Sequence, residues 1–122
     1  MTHKKKPVVY IAGPMTGIED FNYPLFNKVA TIYRMFGNRV INPAEFYGGK
    51  QDRSRSEYMR KSFQSILNST HIVLLPGWKD SQGALLEVFI AQELGLYIQE
   101  YEEPSSDDDV SQSTLEIGRA HV

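Results

Sequence analysis

Apolar residues fall along the chain in two rhythms. Val8-Val9-Tyr10-Ile11-Ala12, Arg39-Val40-Ile41-Asn42, residues 72–75 and Leu96-Tyr97-Ile98 are short runs rich in β-branched and aromatic side chains. Gly, Pro or polar residues bound them, so they predict strands. Between the runs, apolar positions recur at helical spacing. Leu25, Val29, Ile32, Tyr33 and Phe36 follow Pro24, a favourable first helical position, and Gly37 ends the segment. Met59, Phe63, Ile66 and Leu67 form the apolar face of a second helix over about 56–69. Tyr58, Ser62, Ser65 and Ser69 lie beside that face and read as solvated helix surface. A third helix spans about 82–94, with Gly95 as its stop. Its apolar residues are spread nearly all round the wheel, which predicts burial on most sides.

Strands and helices therefore alternate, and the strands are continuously apolar. Both features indicate a parallel sheet with helices on each face. Right-handed crossovers then favour a flavodoxin-like three-layer α/β/α sandwich, an α/β fold with a parallel sheet of four to five strands and the first strand central. In such sheets the ligand crevice lies outside the carboxyl ends of the strands. That rule puts residues 13–17, 42–45 and 76–83 on one rim. There are no internal repeats.

Composition narrows this picture. The 122 residues suit one domain, and 41% hydrophobic content is enough for one core. Without cysteine there is no disulfide scaffold, Cys-containing zinc site or thiol catalysis. No apolar run approaches the roughly 20 residues of a membrane span. The basic start MTHKKKPVVYIAG carries too short an apolar run for a signal peptide and reads as a buried strand. A soluble, cytoplasmic protein is the expectation. His3 and His71 have no partner at helical spacing, so no metal site is expected, and no motif implies a cofactor. Lys4-Lys5-Lys6 is too short to argue for nucleic-acid binding. Residues 1–100 carry 12 Lys+Arg and 9 Asp+Glu, whereas 101–122 carry six acids and only Arg119. The chain accordingly divides into a basic flank (1–6), one domain (7–100) and an acidic tail (101–122) expected to be disordered. The last residues, 116–122, resemble the translation of a sequencing-adapter string and are set aside.

Chemistry is sought on the rim. The loop Gly13-Pro14-Met15-Thr16-Gly17 follows the first strand, where glycine permits close backbone approach to a ligand. It matches neither the dinucleotide fingerprint nor a phosphate loop, and a sharp turn explains it as well. Ser81 and Gly83 open the third helix, a favourable place for phosphate and equally for ordinary capping. Trp78 could stack on a base or simply pack. Glu87 falls among the apolar residues of the third helix. It is a dipole-paired or interface acid on one reading, and a catalytic carboxylate facing the crevice on the other.

Taken together, Tyr10-Ile-Ala-Gly-Pro-Met-Thr-Gly17, Asn42-Pro-Ala-Glu45, Tyr58-Met-Arg60, Leu75-Pro-Gly-Trp78 and Ser81-Gln-Gly-Ala-Leu-Leu-Glu87 resemble the nucleoside 2-deoxyribosyltransferase-like superfamily. The resemblance covers roughly residues 7–100 and is nearest to a small branch common in phages and prophages. It implies a flavodoxin-like fold, a homodimer or higher homo-oligomer whose sites are completed by a neighbouring subunit, and a nucleotide or nucleoside ligand. By the same resemblance Glu87 is a nucleophile attacking C1′ of a 2-deoxyribosyl group, and Tyr10 holds that glutamate. Gly13, Pro14, Met15, Thr16, Asn42, Ser62, Trp78, Ser81 and Gly83 fall at substrate-binding positions. Serine at position 81, rather than aspartate, implies a nucleoside 5′-monophosphate in place of a free nucleoside. Two departures stand out. Ser62 occupies the place of an acid that assists departure of the base, and Thr70 replaces an aspartate. Without positioned proton transfer, about 10²–10⁴-fold in rate is lost. The implied activity is N-glycosidase or deoxyribosyltransferase chemistry, with catalytically weak nucleotide binding as the alternative.

Overall fold

The computed structural model describes residues 6–103. The acidic stretch from 104 onward, with its expected disorder and adapter-like end, lies outside the described residues, as do residues 1–5.

Four parallel strands form one sheet: β1 (Val8–Ala12), β2 (Arg39–Ile41), β3 (His71–Leu74) and β4 (Tyr97–Glu100), in the order β2-β1-β3-β4. β1 is central, with Tyr10 opposite Ile41 on one side and Ile72 on the other. Three helices connect them: α1 (Tyr23–Met35), α2 (Arg55–Leu67) and α3 (Gln82–Glu93). The first crossover runs one way along the sheet and the next two run the other way. Right-handed connections must then put α1 on one face and α2 with α3 on the other. The two cores follow that division. Val9, Ile11, Val73 and Leu75 pack with Phe26, Val29, Ala30 and Tyr33 of α1. Tyr10, Ala12, Ile72 and Leu74 pack with Ile66 of α2 and with Val88 and Ala91 of α3. The flavodoxin-like sandwich expected from the pattern is the observed fold.

Local chemistry fixes the element ends. Ser54 and Glu57 form a reciprocal capping box that starts α2. The Ser81 hydroxyl accepts from Ala84 N–H and starts α3. Gly37, at φ 88°, supplies the left-handed turn after α1. The Thr70 hydroxyl accepts from Val8 N–H at 2.9 Å and ties the start of β3 to β1.

Three expectations need correction. α3 is not buried on most sides. Ala84, Glu87, Val88 and Ala91 face inward, whereas Leu85, Leu86, Phe89 and Leu94 are exposed. A helix apolar all round hides which face the sheet has taken. Ser62 is not solvated surface but 6% exposed, while Leu67, assigned to the apolar face, is 65% exposed. β4 begins one residue later than the pattern suggested and runs on through the polar pair Gln99-Glu100. Directly after β4, Tyr101 is buried in the α1-side core, and its N–H donates to the Leu74 carbonyl at 2.8 Å. Among the described residues no helix is long and apolar enough to cross a membrane.

Candidate functional site

Strand order reverses beside β1, and the loops leaving β1 and β3 diverge there to opposite faces of the sheet. Divergence opens a crevice at that point. The cleft has a volume of about 710 Å³ and is bounded by residues 13–16 after β1, by Pro43 and Phe46 after β2, and by residues 80–84 after β3. That volume suits a small-molecule ligand.

At its base lies Glu87, only 7% exposed. α3 delivers it: Ala84, Val88 and Ala91 anchor the helix on the sheet, and Glu87 shares their face. Tyr10 reaches it from β1. As an even-numbered residue of that strand, Tyr10 points to the α2–α3 side, and its hydroxyl donates to Glu87 Oε2 at 2.5 Å. The Ser62 hydroxyl, from α2, lies beside the Glu87 carboxyl and favours its charged form. Burial dominates and pushes the carboxyl from its ordinary 4.5 up to about 7, while Tyr10 and Ser62 pull it down. Tyr10 is itself driven well above the usual phenol value, first by burial and then by the neighbouring carboxylate, so it remains an O–H donor. A carboxylate with these surroundings can attack an electrophile or take up a proton near neutral pH.

Of the residues singled out from sequence, Gly13, Pro14, Met15, Thr16, Ser62, Ser81, Gly83 and Glu87 line the cleft, and Tyr10 stands directly behind Glu87. Two others are elsewhere. Asn42 is buried at the end of β2, where its side chain caps Ala44 N–H and donates to Asn27 Oδ1. Trp78 turns away, packing on the α2–α3-side core and donating from Nε1 to Glu100. Gly13 also has a packing reason: a Cβ there would lie 2.7 Å from Leu75 Cβ. The glycine is needed by the core whatever binds above it.

Several lining residues escaped the sequence reading: Phe21, Tyr23, Gln51, Arg53 and Arg55 among them. Arg53 and Arg55 lie between the second strand and the apolar face of the second helix. The available signal was their place at the start of α2, around the capping box and after β2, which puts them on the same rim. Phe21 had no such signal. Asp20, Phe21 and Asn22 are all left-handed, at φ 53°, 53° and 63°, a run that residue type does not announce. Asn22 holds it down by donating from Nδ2 to the Pro14 carbonyl at 2.9 Å.

Among the described residues no group of three or more His, Cys, Asp or Glu could hold a metal ion. No curated protein matches the chain. A family model described as a domain of unknown function (DUF4406) matches residues 7–100, which include every strand, every helix and the whole lining of the cleft. By that match, the chain belongs to the DUF4406 family.

Proposed function

We propose that the protein cleaves the N-glycosidic bond of a 2′-deoxynucleoside 5′-monophosphate, as an N-glycosidase or a deoxyribosyltransferase. The observation that carries this reading is Glu87, buried at the floor of the cleft and hydrogen-bonded by Tyr10. Together with the motif resemblance, it supports Glu87 as nucleophile. Its carboxylate attacks C1′, the C1′–N bond breaks, and the base leaves with the bonding electrons and acquires a proton. Water or a second base then attacks C1′ and frees the carboxylate. Tyr10 orients Glu87 and stabilises its charged form. The Ser81 hydroxyl and the first N–H groups of α3 suit a phosphoryl group.

Ser62 favours a second reading, nucleotide binding with weak turnover. It stands beside Glu87, where the resemblance implies an acid, and a hydroxyl cannot protonate a departing base near neutral pH. Asp80 is the other acid of the cleft, so Asp80→Asn tests whether it replaces the missing donor. A homodimer, with Leu85, Leu86 and Phe89 of α3 as its interface, is part of the proposal, since these exposed side chains lie next to the site. The decisive experiment incubates the protein with each deoxynucleoside monophosphate, with and without an acceptor base. Release or exchange of base that Glu87→Gln abolishes is expected. Tight binding of nucleotide with no product selects the second reading, and neither product nor binding removes both.

A further inference from the structure

The two arginines that line the cleft are engaged to different degrees. The cleft's acids are Asp80 and Glu87, and its cations are Arg53 and Arg55. Arg53 is already engaged. Its guanidinium lies over the Tyr47 ring, 4.8 Å from the centroid, with Glu57 at 3.6 Å and Asp52 at 3.9 Å. Arg55 is exposed and makes no ion pair among the described residues.

Arg55 is also badly placed for stability. It is the first residue of α2, where the helix dipole is positive and a cation is unfavourable by about 0.3–1 kcal/mol. A side chain that opposes its own helix, makes no ion pair among the described residues and lines the cleft calls for a ligand of opposite charge. The start of α3 contributes to the same cleft. Ser81, Gln82 and Gly83 line it, and Ala84 N–H alone of the first helical turn is taken by the Ser81 hydroxyl.

We propose that Arg55 is the anion-recognising residue of the cleft and takes a phosphomonoester group of the ligand, with Arg53 beside it in a supporting role. The inference deepens the nucleotide reading and rests on it for the choice of mononucleotide. The recognition of phosphate itself does not depend on Glu87. A guanidinium grips a phosphoryl group with two parallel N–H donors, which makes it selective for a dianion over a neutral sugar hydroxyl.

Calorimetry on the full chain tests it with three probes: 2′-deoxynucleoside 5′-monophosphates, the corresponding nucleosides, and inorganic phosphate. The wild-type protein is expected to prefer monophosphate to nucleoside. In Arg55→Gln the ratio of the two affinities falls about tenfold to a hundredfold. Arg55→Lys keeps part of it, and Arg53→Gln has the smaller effect. The same Arg55→Gln variant melts at an equal or slightly higher temperature without ligand, because an unfavourable charge has left the helix start. A purely structural arginine would give the reverse. An unchanged affinity ratio in Arg55→Gln overturns the inference, whether or not base is released. If no nucleotide binds but inorganic phosphate does, and Arg55→Gln abolishes that binding, the anion site stands and the nucleotide reading alone fails.

Discussion

The two faces of the sheet are built from the same strands and do different work. β1 sends Val9 and Ile11 to the α1 side and Tyr10 and Ala12 to the other. On the α1 side they meet Phe26, Val29, Ala30 and Tyr33, and the layer is apolar packing. On the other side Tyr10 meets a carboxylate and a serine under the α2–α3 layer. Both faces carry an apolar core, but only the α2–α3 side also buries a carboxyl group, at a cost in stability when that group is charged. The contrast breaks most directly at Glu87. Glu87→Gln keeps the shape and the bond from Tyr10 but has no nucleophilic oxygen. Base release from a deoxynucleotide is expected to fall on the order of 10⁴-fold or more, while the folded protein becomes more stable at pH 8. A glutamine variant with wild-type activity would end the nucleophile assignment.

On the opposite face the expected effects are structural. Leu75 is fully buried among the α1-side residues and rests against Gly13. Leu75→Ala is expected to lower stability by about 2–5 kcal/mol in denaturant unfolding, equally at pH 5 and pH 8. The wild-type protein should show the pH dependence that this substitution leaves intact. In the unfolded chain Glu87 loses its proton near 4.5, and in the fold it keeps it to about 7. The unfolded state therefore binds fewer protons between those values. Stability is full below 4.5, falls as pH rises through about 7 and is flat above, a loss of about 3 kcal/mol from this group. Glu87→Gln removes that slope. An identical slope in both proteins would mean that the buried carboxyl is already ionised at low pH. Activity moves the opposite way: a carboxylate nucleophile requires base release to rise with pH through about 7.

These predictions draw on features that the sequence revealed unequally. The alternating pattern and the Gly-Pro and Gly stops were enough for the order of elements and the parallel sheet, because strand period and helix spacing are local properties. Glu87 was visible because a charge in an apolar helix is conspicuous, and Ser81 because a cap precedes its helix. The inward face of α3 was not legible. Leu85, Leu86 and Phe89 are as apolar as Val88 and Ala91, and only the sheet decides which of them it covers. Ser62 looked solvated for the converse reason, since a small hydroxyl among serines gives no sign of the carboxylate packed against it. Asn42 and Trp78 lie near the rim in sequence, yet one caps a turn and the other packs on the α2–α3-side core. Arg55 needed both its place on the rim and its lack of an ion pair, and those are facts of space.

The subtlest difference between the faces lies in one hydroxyl, and Tyr10→Phe isolates it. The ring stays in the core, so packing on β1 changes little. What disappears is the donor to Glu87 Oε2. At pH 8 that donor faces a carboxylate, and its loss costs about 1.5–3 kcal/mol; at pH 5 it faces a neutral carboxyl, where a bond contributes nearer 1 kcal/mol. Tyr10→Phe is therefore expected to destabilise more at the higher pH, by roughly 1 kcal/mol in the difference between the two conditions. The same quantity seen from Glu87 is an upward move of its carboxyl, from about 7 by on the order of one pH unit. The midpoint of the pH–rate profile should shift upward by that amount, with the rate at high pH less affected than the rate at neutrality. Leu75→Ala, which touches no ionisable group of the site, should leave the midpoint in place. If both variants moved it alike, Tyr10 would be acting as core packing and the two faces would not differ in the way proposed.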